Sequence, residues 1–350
     1  MTPSDADAVA LLADVVRTPS LCGQEDAVAA LLLEAMRQFG FDARRDQVGN
    51  VVGTVGPEGG REIVILGHMD TVPGFIEVEE RGGALYGRGS VDAKGPLVTS
   101  VIAAARAAER ARLRVTVIGA VQEEGPSVGA RHLTERPAPD FLAIAEPSGW
   151  DAVVLGYKGS QRFTVTISQP SGHTAGPLTS APERAVEFWN ALAAWCAAQT
   201  PDAGDEFNRL TPTLIRMSSA DDGLEDRASL HIGLRLPPDI RVEDVRKGVQ
   251  TLLPDACYDF AVGEPAVRGG KNNALVAGFL RAIRAEGGKP RFKVKTGTAD
   301  MNVVGPVWNC PMVAYGPGDS KLDHTPNEHV MIEEYLRAIR ILTDMLEGLE

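Results

Sequence analysis

Residues 61–74 read REIVILGHMDTVPG, an apolar run that ends in a histidine and an aspartate. A short continuous apolar run bounded by turn residues is typical of a strand that is buried on both faces. His68 and Asp70 stand where this strand is predicted to end. Strand ends are commonly polar because they meet solvent, so this stretch alone leaves open whether the two side chains do chemistry.

Two further apolar runs also end in acidic residues. LRVTVIGAVQEEG ends in Glu123 and Glu124, and PDFLAIAEPSG ends with Glu146 before its turn. Helical apolar spacing separates the predicted strands, and one helix begins near Lys94. Buried strands that alternate with helices predict an α/β fold, in which a sheet is covered by helices on both faces. Ligands bind such sheets at the carboxyl ends of the strands, where His68 and the acids are expected.

The pattern changes near Tyr157, which suggests a second domain. GSQRFTVTISQPSGHTAG alternates polar and apolar residues, and RAVEFWNALAAWCAAQ has the spacing of an amphipathic helix. Together with the strands that follow, this is typical of an α+β domain. The helices predicted after this region are expected to belong to the first domain. We therefore expect one domain formed by residues 1–156 and 269–350, with an inserted domain at 157–268.

The composition limits the classes of partner. The chain has 350 residues, a formal net charge of −12 and only 5% aromatic residues, which argues against binding to nucleic acid or to an anionic membrane. No apolar run approaches the roughly 18 residues of a membrane span. The first residues lack the basic region of a signal peptide. The four cysteines form no CxxC pair, and a cytoplasmic protein with reduced thiols is expected.

Each polar residue singled out has an ordinary structural explanation when taken alone. Asp92 in GRGSVDAKGP has the position of a helix N-cap. The pair Glu123 and Glu124 fits a solvated acidic turn, and Glu146 fits a loop before Pro-Ser-Gly. His324 in DHTPNEH has the setting of a surface histidine.

Taken together, the same residues predict a metal site. The imidazoles and acids provide about as many ligands as two divalent ions need when one carboxylate bridges them, and imidazole with carboxylate suits Zn²⁺, Co²⁺ or Mn²⁺. Asp70, two residues after His68 on the same side of an extended chain, can orient the imidazole. Glu123 and Glu124 are expected to point in opposite directions if the chain is extended, so that one binds metal and the other faces the reacting water.

Six motifs carry a resemblance: GHMDTVP, LYGRGSVDAKGPL, VQEEG, AEPSG, SGHTAG and HTPNEH, in this order. They resemble the dinuclear zinc amidohydrolase and peptidase family, which includes carboxypeptidase G, acetylornithine deacetylase and succinyl-diaminopimelate desuccinylase. The match spans nearly the whole chain. It implies a zinc exopeptidase-like catalytic domain with a mixed sheet at residues 1–156 and 269–350, and a dimerisation or lid domain at 157–268.

The resemblance also implies a role for each site residue. Two divalent ions per subunit are expected, Zn²⁺ in the first place and Co²⁺ as the alternative. The implied ligands of one ion are His68 and Glu146, and those of the other are Glu124 and His324. Asp92 would bridge the two ions. Asp70 would orient His68, and Glu123 would be the general base for a water activated between the ions. His173 would reach the active site of the partner subunit in a homodimer or higher homo-oligomer and stabilise the oxyanion.

A narrower resemblance concerns the substrate. EPSGWDAVVLGYKGS, KTGTADMNVVGP and VAYGPGDSKLDHTPNEHV look like the hydrolases that release lysine, and in some cases ornithine, from the amino-group carrier protein LysW. This implies a role in lysine biosynthesis and, with ornithine, arginine biosynthesis. Thr298 and Asp300 would belong to the substrate pocket, although Ala299 stands where the family often has serine. Arg268 is a candidate for binding the carboxylate of the amino acid.

Residues 268–295 form a basic segment in an acidic chain. They hold eight lysines or arginines and one acid, Glu286. The segment is a candidate docking surface for an acidic carrier protein, and the alternative is a solvated helix face. Docking predicts that reversal of Arg291 and Lys293 to glutamate weakens hydrolysis of the carrier-linked substrate and spares a small acyl-lysine.

Two other functions stay open from the sequence. One is a small-molecule enzyme of the same family, such as an acetylornithine deacetylase or another acyl-amino-acid hydrolase. The other is an inactive homologue that acts as a dimeric binding protein. Loss of Glu123 or of a metal ligand would mark such a homologue, and all of these residues are present.

Overall fold

The computed structural model describes residues 2–349, which divide into two compact units. The first unit consists of the chain up to Gly156, Gly269–Val294 and the chain from Ala299 onward. The second consists of Tyr157–Arg268 and Lys295–Thr298. The catalytic and dimerisation roles expected for the two domains remain predictions.

The strands follow one another along the chain with short connections in most places. They are β1 (Asp42–Arg45), β2 (Val51–Val55), β3 (Glu62–His68), β4 (Glu79–Arg81), β5 (Ala84–Tyr86), β6 (Arg114–Ala120), β7 (Phe141–Ile144), β8 (Ala152–Tyr157), β9 (Gly159–Pro170), β10 (Thr211–Asp221), β11 (Glu225–Leu236), β12 (Cys257–Phe260), β13 (Val267–Arg268), β14 (Arg291–Lys295), β15 (Met312–Ala314) and β16 (His329–Met331).

Helices precede the first strand, separate several of the strands and follow the last one. They are α1 (Asp5–Arg17), α2 (Asp26–Gln38), α3 (Lys94–Ala107), α4 (Val128–Leu133), α5 (Ala181–Gln199), α6 (Val242–Leu252), α7 (Ala274–Ala285), α8 (Met301–Trp308) and α9 (Ile332–Glu347). Within residues 2–349, none of these helices combines the length and the apolar character that a membrane crossing requires.

The large sheet of the first unit is mixed. Its strands run in the order β1-β2-β6-β3-β7-β15-β8, and β14 also pairs with β8. The inner strands β6, β3, β7 and β15 are parallel neighbours, whereas β2 and β8 join this group in antiparallel fashion. Helix α3 packs against β3, β6, α1 and α9, and α2 packs against β1 and β2. The predicted α/β class with a mixed sheet is confirmed.

Strand β3 lies in the middle of the parallel group, and every one of its residues is buried. Its register pairs His68 with Ala120 of β6 and Leu66 with Ile144 of β7. Parallel strands in register end at the same edge of the sheet. The three apolar runs that end in polar residues therefore deliver those residues to one edge, as the sequence predicts.

The second unit is an antiparallel sheet with helices. Its strands run in the order β10-β11-β9-β12, and α5 packs against β9, β10 and β11 as well as α6. Ser180 and Glu183 form a capping box that begins α5, so the start of this helix is fixed by its own sequence. Alternate residues of β11 from Ala228 to Leu236 face a separate apolar core, which gives the unit its own hydrophobic interior.

Gly67 offers a test of the close approach between β3 and the chain after β7. A Cβ atom at this position would lie 2.8 Å from the Cβ of Ala145, closer than real Cβ contacts. We expect Gly67→Ala to lower the free energy of unfolding by about 1–3 kcal/mol through overpacking, measured by urea denaturation. Gly270→Ala is the control because no atom lies within 4 Å of its Cβ position. Equal stability of the two variants would contradict this packing.

Candidate metal and catalytic site

Two overlapping groups of side chains lie at the carboxyl edge of the large sheet. In one, the ligand atoms of His68, Asp92 and Glu146 lie within 4.8 Å of one another; in the other, those of Asp92, Glu124 and His324 do. Asp92 belongs to both groups. Its Oδ1 lies 3.2 Å from Nε2 of His68, and its Oδ2 lies 2.9 Å from Nε2 of His324. One oxygen faces each histidine, as a bridging carboxylate requires.

The remaining contacts complete the two groups. Oε1 of Glu146 lies 3.5 Å from Nε2 of His68, and Oε1 of Glu124 lies 2.9 Å from Nε2 of His324. Each group thus offers one imidazole nitrogen and two carboxylates, with Asp92 shared. Nitrogen and oxygen ligands without thiolate suit Zn²⁺, Co²⁺ or Mn²⁺. The residues present fit a pair of divalent ions.

The electrostatics of the site also favour bound cations. Hydrogen bonds to Asp92 and Glu124 raise the pKa of His324 to about 10. Burial works against a charged His68, yet hydrogen bonds to Asp70, Asp92 and Glu146 raise its pKa well above the ordinary value. For Asp92 the hydrogen bonds from His324 and His68 outweigh burial and lower its pKa. The carboxylates therefore favour a positive charge close to the imidazole nitrogens, and bound metal ions can supply that charge.

The pair Glu123 and Glu124 differs from the sequence expectation. Strand β6 ends at Ala120, Gln122 has a left-handed φ of 61°, and residues 123–126 form a turn. Because the chain is not extended here, the two side chains do not point in opposite directions. Ligand atoms of both glutamates lie within 4.8 Å of one another and of His68.

Asp70 holds this turn in place. It is fully buried, and its carboxylate accepts hydrogen bonds from the backbone N–H groups of Glu123 and Glu124, each at 3.0 Å. Nδ1 of His68 lies 2.9 Å from the carbonyl oxygen of Asp70 and 3.5 Å from Oδ1 of its carboxylate. Asp70 therefore touches both the imidazole and the turn that carries the two glutamates.

Glu123 has the environment of a proton acceptor. Burial, together with the nearby negative charges of Asp300, Glu146 and Glu124, raises its pKa well above that of an ordinary glutamate, and the charge of His68 acts in the opposite sense. A carboxyl whose pKa is raised in this way suits transfer of a proton in both directions. Asp300 belongs to the first unit, is buried and immediately precedes α8.

The other residues predicted from sequence lie in the second unit. His173 is in an exposed loop after β9, where its Nδ1 accepts a hydrogen bond from the backbone N–H of Ala175 at 3.0 Å. Arg268 is exposed, and its guanidinium lies 5.8 Å from the centre of the Phe207 ring. Thr298 Oγ1 lies 3.3 Å from Nη1 of Arg235.

Sequence reasoning did not single out Arg235 or Glu328. Arg235 lies on β11, and burial together with the charge of Arg162 lowers its pKa. Among the described residues it has no acidic partner. Its signal in the sequence is an arginine between apolar residues in GLRLP. Glu328 is completely buried beside the loop that carries Asp92, and it lies within the quoted motif HTPNEH.

Removal of one histidine tests the metal site. We expect the wild-type protein to bind two divalent ions per chain and His324→Ala to lose one of them, because His324 contacts only the group that contains Glu124 and Asp92. Equilibrium dialysis with Zn²⁺ and elemental analysis measure the stoichiometry. His132→Ala is the matched control, since His132 lies near Asp46 and Glu135 instead. A single ion in the wild type, or an equal loss in the control, would refute the two-ion site.

Comparison with known proteins identifies the family of this chain. Residues 64–348 match the model of peptidase family M20/M25/M40. The chain is 45% identical to a [LysW]-lysine hydrolase of Deinococcus radiodurans over 360 residues, covering 100% of this chain and 99% of that protein. It is 37% identical to a putative [LysW]-lysine/[LysW]-ornithine hydrolase of Pyrococcus furiosus, covering 98% and 97%.

Solved structures show the same fold at low sequence identity. An M20 family metallo-carboxypeptidase of Sulfolobus solfataricus superposes with a TM-score of 0.80 at 18% identity, covering 97% of this chain and 98% of that one. A dinuclear metal-binding M20 peptidase of Bacillus subtilis gives 0.73 at 12% identity, covering 98% and 97%. The expected family and the class of hydrolase are confirmed: the chain belongs to peptidase family M20/M25/M40.

Proposed function

We propose that this chain is a metal-dependent amide hydrolase that releases lysine from the amino-group carrier protein LysW in lysine biosynthesis. The scissile bond would join the α-amine of lysine to the side-chain carboxyl of the carrier's C-terminal glutamate. The observation that carries the proposal is the pair of ligand groups that share Asp92, with Glu123 beside them, in a chain 45% identical to a named [LysW]-lysine hydrolase. We propose ornithine on the same carrier as a second substrate. Its release would give the enzyme a role in arginine biosynthesis as well.

The ions would be held by the five predicted ligands. His68 contacts Asp92 from one side and His324 from the other, and each imidazole also contacts a glutamate, Glu146 or Glu124. We propose Zn²⁺ as the metal and Co²⁺ as a substitute, because the ligand set combines imidazole with carboxylate. When bound, two such ions polarise the amide carbonyl and lower the pKa of a water molecule towards neutrality.

Glu123 would move the proton that hydrolysis requires. Its carboxylate takes a proton from the attacking water, whose oxygen forms the new bond to the amide carbon. The same carboxyl then gives that proton to the α-amine of lysine as the C–N bond breaks. The products are a free carboxyl on the carrier and free lysine, so the atoms of water and amide balance. The raised pKa of Glu123 suits both transfers.

A second copy of the chain would supply the oxyanion contact. We propose a homodimer, or a larger assembly built on it, in which His173 of one subunit serves the site of the other. The edge strand β10 supports this, since most of its residues are exposed and Ile215 and Met217 are among them. Leu178, in the exposed loop that follows His173, is 68% exposed and adds apolar surface.

Basic side chains of the second unit would bind the carboxylate of the released amino acid. Arg235 supports this role better than Arg268 does, because burial withdraws it from solvent and it lacks an acidic partner among the described residues. A half-buried guanidinium without an acidic partner gains from a ligand carboxylate, which it can bind with two hydrogen bonds. Thr298, bonded to Arg235, would line the same pocket.

Substitution of Glu123 tests the chemistry. We expect Glu123→Gln to retain both metal ions but to lower the rate by about 10²–10⁴-fold, because the amide cannot accept the proton. Mass spectrometry of the carrier–lysine adduct measures the rate, with acetylornithine as the competing substrate. Glu135→Gln is the control, since Glu135 is an exposed glutamate with a 75% exposed side chain. If the wild-type enzyme hydrolysed acetylornithine but not the carrier–lysine adduct, its substrate would be a small molecule and not the carrier. Activity that persists in the presence of a chelator would exclude the metal mechanism.

Two of the basic residues in segment 268–295, Arg291 and Lys293, make contacts within the chain, so their reversal is not a clean test of carrier docking. Nζ of Lys293 donates to the carbonyl oxygen of Ser148 at 2.6 Å, two residues after Glu146, and Arg291 pairs with Asp151. Reversal of these two charges would therefore disturb the loop after Glu146 as well as any docked partner.

Arg284 and Lys289 give a cleaner test because both are exposed and neither contacts the loop after β7. We expect Arg284→Glu with Lys289→Glu to raise KM for the carrier–lysine adduct several-fold at low salt and to leave hydrolysis of a small acyl-lysine unchanged. Steady-state kinetics with both substrates measure the difference. Equal effects on the two substrates would exclude this segment as the docking surface.

The expected compartment rests on the cysteines. All four are free, and Cys196 is fully buried. We propose a cytoplasmic enzyme, because thiols persist in that compartment.

A further inference from the structure

Glu328 lies four residues after His324 and has no exposed surface. It directly precedes β16, which pairs with β5 in antiparallel fashion through His329 and Tyr86. This pairing places the residue before β16 beside the residue after β5, and the N–H of Gly87 donates to the carbonyl oxygen of Glu328 at 3.3 Å. The side chain of Glu328 is thereby brought to the loop that carries Asp92.

One oxygen of Glu328 accepts three backbone hydrogen bonds from this loop. Oε1 lies 3.0 Å from the nitrogen of Gly89, 3.0 Å from that of Val91 and 3.1 Å from that of Asp92. Oε2 accepts a hydrogen bond from Nη1 of Arg88 at 2.7 Å. Backbone N–H groups that converge in this way form a concavity for an anion, and the chain fills it with its own carboxylate.

Other backbone hydrogen bonds of the loop are local: the N–H of Ser90 donates to the carbonyl oxygen of Gly87 at 3.1 Å, and the N–H of Gly95 to that of Gly89 at 3.3 Å. Gly89 has a φ of 87°, and a Cβ atom there would meet the side chains of Thr71 and Lys94 within 3 Å. The side chain of Asp92, in contrast, must present one oxygen to His68 and the other to His324. Because Glu328 bonds the backbone N–H of Asp92 itself, it fixes the point from which that carboxylate is directed.

We propose that Glu328 is a positioning residue that sets Asp92 between the two metal ions and joins it to the segment that bears His324. The inference rests on the metal centre of the proposed function. Glu328 does not contact the ligand atoms of that centre; it acts through the backbone of residues 87–92. Its removal takes the acceptor from three backbone N–H groups and from Nη1 of Arg88, whose Nε still donates to the carbonyl oxygen of Gly74.

Glu62 provides a matched control at the opposite end of β3. It is also a buried glutamate, 8% exposed, and its Oε1 accepts hydrogen bonds from Oγ1 of Thr116 at 2.7 Å and Nη2 of Arg136 at 2.9 Å. Glu328→Ala and Glu62→Ala therefore remove the same group from a comparable buried network with an arginine. They differ in whether the network holds the loop of Asp92.

The test measures Zn²⁺ affinity by competition with a chromophoric chelator, without substrate. We expect Glu328→Ala to weaken the binding of the more weakly held ion by about 10–100-fold, as loss of an outer partner does at other metal sites. Glu328→Gln, which keeps one acceptor oxygen, should lose roughly threefold or more but less than the alanine variant. Amide hydrogen exchange in residues 87–93 should speed up in both variants. Glu62→Ala should keep its metal affinity within about twofold.

Two results would overturn the inference. One is wild-type metal affinity with unchanged exchange in Glu328→Ala; the other is an equal loss of affinity in Glu62→Ala. Should the alanine variants fail to fold, the comparison of Glu328→Gln with Glu62→Gln decides in the same way. Because no carrier is present, a wild-type protein that binds two ions but leaves the carrier adduct intact would refute the proposed function and spare this inference.

Discussion

The rest of this structure depends on the gathering of negative charge at one edge of a sheet. Five carboxylates, from Asp70, Asp92, Glu123, Glu124 and Glu146, meet two imidazoles there, and most of these groups are withdrawn from solvent. A buried carboxylate without compensation is very costly. The chain meets part of this cost with backbone N–H donors at Asp70 and with the two imidazoles. Divalent ions would offset the rest of this desolvation cost. Metal binding is therefore expected to stabilise the local structure of the site.

The sheet explains why the acids can meet at all. Because β6, β3 and β7 are parallel and in register, three strands that are separate in the sequence end at the same edge. Side chains that are far apart in sequence then become neighbours without long loops. The loops themselves are held by buried carboxylates: Asp70 for the turn of Glu123 and Glu124, and Glu328 for the loop of Asp92. The acids that hold the loops differ from the acids that are proposed to bind metal in one respect. The carboxylates of Asp70 and Glu328 accept hydrogen bonds from backbone N–H groups.

Much of this could be predicted from the sequence because it is local. Apolar runs such as REIVIL give the strands, and the polar residues that follow them give the edge at which they meet. The turn at Glu123 was missed since it depends on the left-handed φ of Gln122, which no pattern indicates. Glu328 was missed because its role arises only when β16 pairs with β5, more than 200 residues away in the chain. Lys293 likewise reads as one of several basic residues until Ser148 is seen beside it.

The location of bound metal ions is the most direct test of the two-ion centre. A crystal of the protein grown with Zn²⁺ can be measured at the zinc absorption edge, where anomalous scattering marks each ion. We expect two peaks, roughly 3.5–4 Å apart, one beside His68 and Glu146 and one beside Glu124 and His324, with the carboxylate of Asp92 between them. A single peak, or two peaks with Asp92 turned away from both, would contradict the two-ion centre.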